Sequence, residues 1–322
     1  MYRGILIDEF GIRHGYLIVD ECKFEESRIE YKDYIITPTF FNAHTHLADS
    51  VAREPPFKDL VELVKPPDGY KFKVFKMYEL KDIREEVKRQ IKLAKNLGTL
   101  YFLDFREGGI EGLKVVKGIR GIIPLARPSS IDEAERIEAF GFGMSSTRDH
   151  EIKFLEELRE IAKKRRIIFA IHAGEKDCDD VEDALALEPD LIIHMNSCEK
   201  KLKDVIDQNI PVVSCIKSNA FFGLLNPRAY RILSDYDLWM IGTDNAMISI
   251  PSILDELHFA AYIVKNDVKL FKAAIRGSRI FGFKNGYVVF NKNYNLKNSS
   301  DLIATIVRRV NFMDIEKIVY PC

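Results

Sequence analysis

The sequence contains no long hydrophobic run, and this absence limits where the chain can function. A transmembrane helix needs about 20 consecutive apolar residues, and charged or polar side chains interrupt every apolar stretch before that length. The N-terminal residues reach acidic side chains at Asp8 and Glu9, so they lack the apolar centre of a secretory signal peptide. We therefore predict no membrane association and a cytoplasmic location.

An excess of charge of either sign is also lacking. The 48 lysine and arginine residues nearly balance the 49 aspartate and glutamate residues, which gives a net charge of -1. No basic field therefore favours a nucleic-acid partner, and no block of like charge indicates an interaction tail. We expect a small-molecule substrate as the partner, and the sequence leaves the formation of a homo-oligomer open.

The cysteines lack the spacing of a disulfide framework or of a Cys-x-x-Cys metal site. Their number is odd and their positions are scattered, at Cys22, Cys178, Cys198, Cys215 and Cys322. We predict that all five are thiols that form no disulfide.

The sequence contains many short apolar runs that are separated by helical segments. This alternation is typical of repeated βα units and a parallel sheet. Eight predicted strands favour an α/β fold with a closed (β/α)8 barrel of the TIM type, and they lie near 38–44, 99–105, 119–126, 139–144, 167–172, 190–195, 210–215 and 238–243. Helices are predicted at 80–97, 109–117, 131–138, 148–164, 178–187, 199–208, 227–234, 252–265 and 268–276.

The two ends of the chain have a different pattern. Residues 1–38 contain short strand-like pieces, turn signals and no helical period, and residues 285–320 repeat this pattern in 285–290 and 302–307. We therefore predict β-structure at both termini.

The connection between the first barrel strand and the first helix, about residues 47–79, is too long for an ordinary βα loop. It contains the proline pairs 55–56 and 66–67 and several aromatic side chains. Loops that follow strands cover the active face of a (β/α)8 barrel, so we predict a lid or substrate wall. An appendage that packs its own aromatic side chains is the alternative.

Histidines and a carboxylate at strand ends are the candidate metal ligands. His44 and His46 are two residues apart, so in a strand both imidazoles point to the same side. Later apolar runs end on His172, His194 and Asp244. The active site of a barrel lies at the C-terminal ends of its strands, so we expect these side chains to converge. If only His44 and His46 are considered, the alternative is that they are surface histidines at the end of a strand.

Taken together, the motifs at the strand ends resemble those of one enzyme superfamily. They occur in order along the chain as His-Thr-His at 44–46, His-Ala-Gly-Glu at 172–175, His194, Ser-Asn at 218–219 and Gly-Thr-Asp-Asn at 242–245. Over essentially the whole chain, the sequence resembles the metal-dependent amidohydrolase superfamily, in particular its cytosine deaminase and chlorohydrolase-like branch. The resemblance implies a barrel domain over 39–282 and a small β-sandwich formed by 1–38 and 283–322.

The resemblance also implies a metal site. One divalent ion, Zn²⁺ or Fe²⁺, is expected on a set of three imidazoles and one carboxylate that leaves a position for water: His44, His46, His172 and Asp244. Such an ion lowers the pKa of the water that it binds. In the alternative arrangement a carbamylated lysine after the fourth strand bridges two ions, but residues 139–145 contain no lysine. We therefore predict a single ion.

Three side chains receive catalytic roles from the same resemblance. Glu175 is expected to protonate a ring nitrogen and to carry a proton to leaving ammonia. Asp244 is expected to take a proton from the attacking water, and His194 to donate a hydrogen bond to a developing oxyanion. Alone, Glu175 would be interpreted as a loop carboxylate and His194 as a buried structural histidine.

Arginines follow three successive strands, at Arg106, Arg127 and Arg148. Guanidinium groups bind carboxylates and phosphates through paired hydrogen bonds, so two inward-facing arginines would favour an anionic substrate. Each also has an acidic neighbour in sequence, which makes an ion pair the alternative. Asn219 matches a family position that orients polar groups of the site, and it is predicted to contact the substrate.

The predicted function is that of an aminohydrolase. The expected substrate is a cyclic amidine, such as a pyrimidine, purine or pterin-like ring, attacked by metal-activated water at its amino-bearing carbon. One alternative uses the same site to hydrolyse a ring C–N or C–Cl bond. An alternative of another class is a catalytically idle binding or assembly subunit, although retention of the ligands with Glu175 and His194 argues against it.

Overall fold

The computed structural model describes residues 1–65 and 68–322. The proline pair 66–67, one of the expected turn signals, lies outside the described residues. Two units can be distinguished, with segments Met1–Asn42, Lys92–Tyr101 and Ser252–Cys322 in the first and Ala43–Ile91 and Phe102–Pro251 in the second. The domain bounds expected from the sequence stay a prediction.

The two chain ends share one six-stranded sheet. Its strands are β1 Tyr2–Asp8, β2 Gly11–Ile18, β3 Lys23–Glu26, β4 Tyr34–Pro38, β14 Tyr287–Phe290 and β15 Ile315–Val319, and they lie in the order β15-β14-β4-β1-β2-β3. β4 pairs in parallel with β1 and antiparallel with β14, so it joins the N-terminal strands to the C-terminal ones. The prediction that the termini share a sheet is confirmed.

A second sheet is parallel and contains nine strand segments. They are β5 Phe40–His46, β6 Thr99–Arg106, β7 Ile122–Ala126, β8 Gly141–Met144, β9 Ile168–Ala173, β10 Leu191–His194, β11 Val212–Ser214, β12 Trp239–Ile241 and β13 Asp244–Asn245. β12 pairs with β11 and β13 pairs with β5. The eighth strand, split into these two segments, therefore connects the seventh strand to the first. All eight predicted strands and the α/β barrel fold are confirmed.

Several strands of this sheet are apolar along nearly their whole length. Every residue of β8, β10, β11 and β12 is buried, as expected for parallel strands covered on both faces. Histidines and carboxylates at the strand ends therefore stand out from the run that precedes them, and these ends supply the site described below.

All nine predicted helices are found, and the described residues contain five further helices that the sequence did not predict. The helices are α1 Leu60–Val64, α2 Tyr70–Phe75, α3 Leu80–Asn96, α4 Gly109–Val116, α5 Ile131–Arg136, α6 Ile152–Arg165, α7 Val181–Ala186, α8 Leu202–Asp207, α9 Ile216–Phe221, α10 Pro227–Ser234, α11 Ile253–Val264, α12 Asp267–Ile275, α13 Gly277–Ile280 and α14 Leu302–Arg308. α10 shows how sequence sets a helix start, because Asn226 caps it and Pro227 occupies its first turn. Within the described residues, every helix is too short or too polar to cross a membrane.

The predicted C-terminal strand at 302–307 is wrong, because this stretch forms helix α14. Its β-branched side chains favour a strand locally. The Asp301 carboxylate, however, accepts a hydrogen bond from the backbone N–H of Ala304 and caps the helix. Ile306 and Val307 are buried, and the helix packs against α11 and α12. Tertiary packing thus overrides the local strand preference.

The long segment 47–79 contains a 3-10 helix, Leu47–Ala52, followed by α1 and α2. Ala52 and Leu63 pack with Met247 in a small apolar cluster. The segment therefore has helical structure of its own, although only turn and aromatic signals are evident in its sequence.

The prediction that no cysteine forms a disulfide is wrong. Cys22 is bonded to Cys322 and Cys178 to Cys198, while Cys215 remains a buried thiol. The bonded residues are 300 and 20 positions apart. Scattered spacing gives no signal for such pairs, because the fold rather than the sequence brings them together.

Thiol titration tests this arrangement. We expect one reactive thiol per chain when the protein is denatured without reductant, because only Cys215 keeps its sulfhydryl, and five after reduction. The variant Cys215→Ser should give none before reduction and four after it. Five thiols in unreduced wild-type protein would contradict both disulfides.

Candidate metal centre and active site

Strand β5 places two histidines side by side in the interior of the second unit. His44 and His46 lie at its C-terminal end and point to the same side. Both side chains are buried. Their Nε2 atoms lie 3.3 and 3.6 Å from one oxygen, Oδ1 of Asp244. Two imidazoles and a carboxylate therefore face one point.

His172, near the end of β9, supplies a third imidazole. Its Nδ1 lies 2.7 Å from the backbone oxygen of Met144 and must donate to that acceptor. Nε2 therefore carries a lone pair, and it lies 3.2 Å from Nε2 of His44. Burial, together with the neighbouring histidines, lowers the pKa of His172 well below its usual value. The ring is consequently neutral, which is the form that binds metal ions.

Asp244 completes the set in its ionised form. Burial alone would raise the pKa of Asp244, but the hydrogen bond and charge of His44, with the other histidines, hold that pKa well below its usual value. The Ser218 hydroxyl donates to Oδ2 at 2.6 Å and orients the carboxylate. Gly242 permits the close approach of this strand to β5, since a Cβ there would lie 2.6 Å from the backbone nitrogen of His44.

These donors fit a divalent ion of the zinc or iron type. The ligand atoms of His44, His46 and Asp244 lie within 4.8 Å of one another, as do those of His44, His172 and His194. Imidazole nitrogens with one carboxylate suit Zn²⁺ and Fe²⁺, whereas Mg²⁺ and Ca²⁺ prefer oxygen ligands. The Nε2 atoms of His44 and His172 lie 3.2 Å apart, close enough for one cation to be bound by both.

A second pair of titratable side chains lies beside this set. Nε2 of His194 is 3.5 Å from Oε1 of Glu175. Burial and the charge of Asp244 raise the pKa of Glu175 well above its usual value, which favours its protonated form. Burial lowers the pKa of His194 to about 4, so this ring is neutral at neutral pH. A retained proton beside a neutral ring is suited to general acid catalysis.

The turn between His172 and Glu175 depends on a glycine. Gly174 has a φ of +63°, a conformation that side chains with a Cβ rarely adopt. After this turn, Asn196 donates a hydrogen bond to the backbone oxygen of Glu175 at 3.1 Å. The main chain of the Glu175 loop is thereby fixed to the loop that follows His194.

A cavity of about 310 Å³ opens onto these groups, a size suited to a small molecule. Its lining includes Glu175, His194 and Asp244, and helix α1 contributes Leu60 and Val64. α1 therefore forms part of the wall of the cavity, as predicted for the segment 47–79. Movement of that segment as a lid stays a prediction.

Comparison with known proteins now decides the family. Residues 35–292, which make up more than half of the chain, match the model of the Amidohydrolase family. The chain belongs to this family. A protein of Archaeoglobus fulgidus, provisionally named an aminohydrolase, is 54% identical over 319 residues, which cover 99% of this chain and 96% of its own length.

Two solved structures share the fold of this amidohydrolase at low sequence identity. Guanine deaminase from C. acetobutylicum, with guanine bound in its active site, has a TM-score of 0.75 and 15% identity, with 98% of this chain and 97% of that chain covered. Atrazine chlorohydrolase from Arthrobacter aurescens TC1, complexed with zinc, has a TM-score of 0.75 and 14% identity, with 97% and 94% covered. At such identity the likeness shows the fold alone.

The three predicted substrate arginines of this amidohydrolase have different surroundings. Buried Arg106 donates to Glu107 at 2.6 Å, and partly exposed Arg148 makes two hydrogen bonds to Asp177, of 2.8 and 3.1 Å. Arg127 lines the cavity, as does Arg148. The Nε of Arg127 donates to the backbone oxygen of Gly143 at 3.3 Å, but its guanidinium lies 3.9 Å from Oε1 of Glu107, too far for a hydrogen bond to a carboxylate. Arg127 is therefore the most available to a substrate anion, and all three roles stay predictions.

Methionine replacements separate these roles. Arg127→Met should raise the KM for an anionic substrate by about 10- to 100-fold, because a hydrogen bond to a charged group contributes about 1.5–3 kcal/mol. Arg148→Met is the matched control and should change KM much less, since Asp177 already occupies its guanidinium. An unchanged KM in Arg127→Met would assign this arginine to the structure of the cavity.

Asn219 lies behind His194 and orients it. The Tyr230 hydroxyl donates to Oδ1 of Asn219 at 3.0 Å, so the amide nitrogen faces Nδ1 of His194 at 3.4 Å. Nδ1 accepts from this amide, which leaves the ring proton on Nε2, the atom that faces Glu175. Asn219 is fully buried, and its predicted contact with the substrate stays a prediction.

Sequence reasoning missed a buried charged cluster beside His46. Its other members are Asp49, Lys71, Asp104 and Arg106, which are buried, and Glu107, whose side chain is 10% exposed. Glu107 follows the second strand, the position expected of a site residue, but in the sequence it appeared only as the neighbour of Arg106. No local signal singled out Lys71, because it lies in the aromatic segment 47–79.

Proposed function

We propose that this amidohydrolase deaminates a cyclic amidine, such as a pyrimidine, purine or pterin-like ring. The pairing of Glu175 with His194 carries the proposal. Attack on an amino-bearing ring carbon requires a proton for the adjacent ring nitrogen. Glu175 has a raised pKa and lies 3.5 Å from Nε2 of His194, beside the four predicted metal ligands. The bound guanine of the structurally similar deaminase supports a ring substrate of this kind.

The proposal includes one divalent ion per chain, Zn²⁺ or Fe²⁺, held by His44, His46, His172 and Asp244. When bound, it supplies an activated water for the attack. Metal analysis of protein purified without added metal should give one equivalent, and His172→Ala should lose it. Two equivalents in the wild-type protein, both lost in His172→Ala, would contradict a single-ion site.

The protein's own side chains move the protons. As water adds to the ring carbon, Asp244 accepts one of its protons and protonated Glu175 donates a proton to the ring nitrogen. The Glu175 carboxylate then transfers the new hydroxyl proton to the amino group, which leaves as ammonia while the carbonyl forms. The proton on Asp244 returns to Glu175. One water is consumed, and its two hydrogens end on the ring nitrogen and on ammonia.

Product analysis tests the proposal. Metal-loaded protein should release ammonia, and form the matching ring carbonyl, from at least one member of a panel of aminopyrimidines, aminopurines and aminopterins. Chloro-substituted analogues of the same rings form the second arm. Chloride release without ammonia from any amino compound would favour the chlorohydrolase alternative. Binding of the rings without any product would favour the idle binding subunit.

A further inference from the structure

We infer that Lys71 is a positioning residue that couples the segment 47–79 to the metal ligand His46 through Glu107. Metal affinity and the order of helix α2 should therefore depend on each other. The inference rests on the proposed function for the identity of the metal ligands, but it does not require that the reaction be deamination.

Lys71 is unusual because its charged end is inside the protein. The residue is 3% exposed, and lysine is almost never buried to this degree unless it is paired. Its Nζ lies 2.7 Å from Oε1 of Glu107 and 3.1 Å from Oδ2 of Asp49. Helix α2 is thus fixed by one side chain to the buried carboxylate of Asp49 and to the carboxylate of Glu107, whose side chain is 10% exposed.

The same oxygen of Glu107 reaches the metal ligand. Oε1 lies 3.1 Å from Nδ1 of His46 as well as 2.7 Å from Lys71, and Oε2 accepts from Arg106 at 2.6 Å. The contact with His46 is close in distance, although its alignment is not that of a hydrogen bond. Lys71 and Arg106 thus fix the Glu107 carboxylate so that its Oε1 lies against the imidazole of His46.

This contact bears on the metal because it affects the other nitrogen of His46. A carboxylate beside Nδ1 favours a proton there and leaves Nε2, 3.6 Å from Asp244, with its lone pair. Outer partners of this kind fix the tautomer and orientation of a ligating histidine, and their loss typically weakens metal binding by about 10- to 100-fold.

Without Lys71, the Glu107 carboxylate would lose the cation that holds Oε1. Arg127 lies 3.9 Å from that oxygen, and a move of the carboxylate towards Arg127 would change the contact with His46. Asp49, three residues after His46, would lose its ammonium partner too. A buried charge that loses its partner is strongly unfavourable, and Glu107 would keep only its bond to Arg106, so the contacts of both carboxylates should change.

Coupling of this kind is reciprocal. If Lys71 strengthens metal binding through His46, then bound metal must strengthen the attachment of helix α2 by the same factor. This property distinguishes a positioning residue from one that only supports the fold.

Metal affinity without substrate is the test. In Lys71→Met, the Kd for Zn²⁺ measured by competition with a chelator should rise about 10- to 100-fold, and the visible spectrum of the Co²⁺-loaded protein should change. Lys73→Met is the matched control, since Lys73 is an exposed lysine on the same helix, and both readouts should stay as in the wild type. Lys71→Arg should restore much of the affinity.

Amide hydrogen exchange tests the reciprocal effect. Removal of metal should accelerate exchange in residues 70–75 of the wild-type protein, and in Lys71→Met exchange there should be fast with or without metal. Should Lys71→Met fold poorly, Lys71→Met with Asp49→Asn removes one charge of each sign and still leaves Glu107 without its ammonium. Wild-type Kd and Co²⁺ spectrum in either folded variant would overturn the inference.

The two proposals fail separately. Protein that binds metal through these ligands but releases no ammonia contradicts the proposed function and leaves the coupling intact. Ammonia release together with an unchanged Kd for Zn²⁺ in Lys71→Met contradicts the coupling alone.

Discussion

Glu175→Gln should lower kcat by about 100- to 10,000-fold, the range typical of a lost general acid and base, while the metal content stays unchanged. Glutamine has nearly the shape of glutamate, but it can neither deliver a proton to the ring nitrogen nor accept one from the new hydroxyl group. Glu175 is outside the proposed ligand set, so the metal should remain.

The hydrogen bonds of the backbone around Glu175 should keep the loop in place when the side chain is substituted. Asn196 and Ser197 bond to the backbone oxygen of Glu175 rather than to its carboxyl group, so the loop should keep its course. Asp179→Asn is the matched control, because Asp179 is an exposed acid on the same loop, and its kcat should equal that of the wild type.

The dependence of kcat on pH gives a second readout. Burial raises the pKa of Glu175, and the protonated form is the one that donates, so wild-type kcat should fall as pH rises through that pKa. In Glu175→Gln, kcat should no longer fall as pH rises through this range. Near-full activity with metal in place would show that the deaminase mechanism is wrong, and hydrolysis of a bond that needs no nitrogen protonation would become the better hypothesis.

The convergence of the candidate metal ligands was predictable because its signal is local. His44 and His46 share a strand face by their spacing alone, and His172, His194 and Asp244 each end an apolar run. In a parallel barrel all such ends meet on one side. Residue type and position within the strand therefore sufficed to bring these side chains together without knowledge of any long-range contact.

The charged cluster could not be found in this way. Lys71 meets partners 22 and 36 residues away, and nothing in the sequence around it distinguishes it from Lys73, which is exposed two positions later. The disulfides were hidden for the same reason. Which lysine turns inward is decided by the packing of α2.

Helix α14 shows the opposite limit of prediction from sequence, because here a local signal was present and indicated the wrong structure. Its run of β-branched residues favours a strand, yet the cap at Asp301 and burial against α11 and α12 decide for a helix. The arginines show a third limit, since the sequence places Arg106 and Arg148 at strand ends but cannot show that carboxylates already occupy them.

His194→Asn should lower kcat by about 100- to 1000-fold, the loss of about 3–4 kcal/mol seen when one oxyanion donor is removed, while the metal is retained. The ring proton on Nε2 depends on the hydrogen bond that Nδ1 accepts from Asn219. A shorter side chain removes Nε2 from its place 3.5 Å from Glu175.

Asparagine is the suitable replacement because His194 has a φ of +83°, a left-handed conformation that asparagine tolerates better than most residues. Tyr230→Phe should have a smaller effect of the same kind, since it removes only the hydroxyl that orients the Asn219 amide. His14→Asn, on the terminal sheet, serves as the folding control. Loss of metal together with activity in His194→Asn would instead assign His194 to the metal ligands, because its ring nitrogen also lies within 4.8 Å of those of His44 and His172.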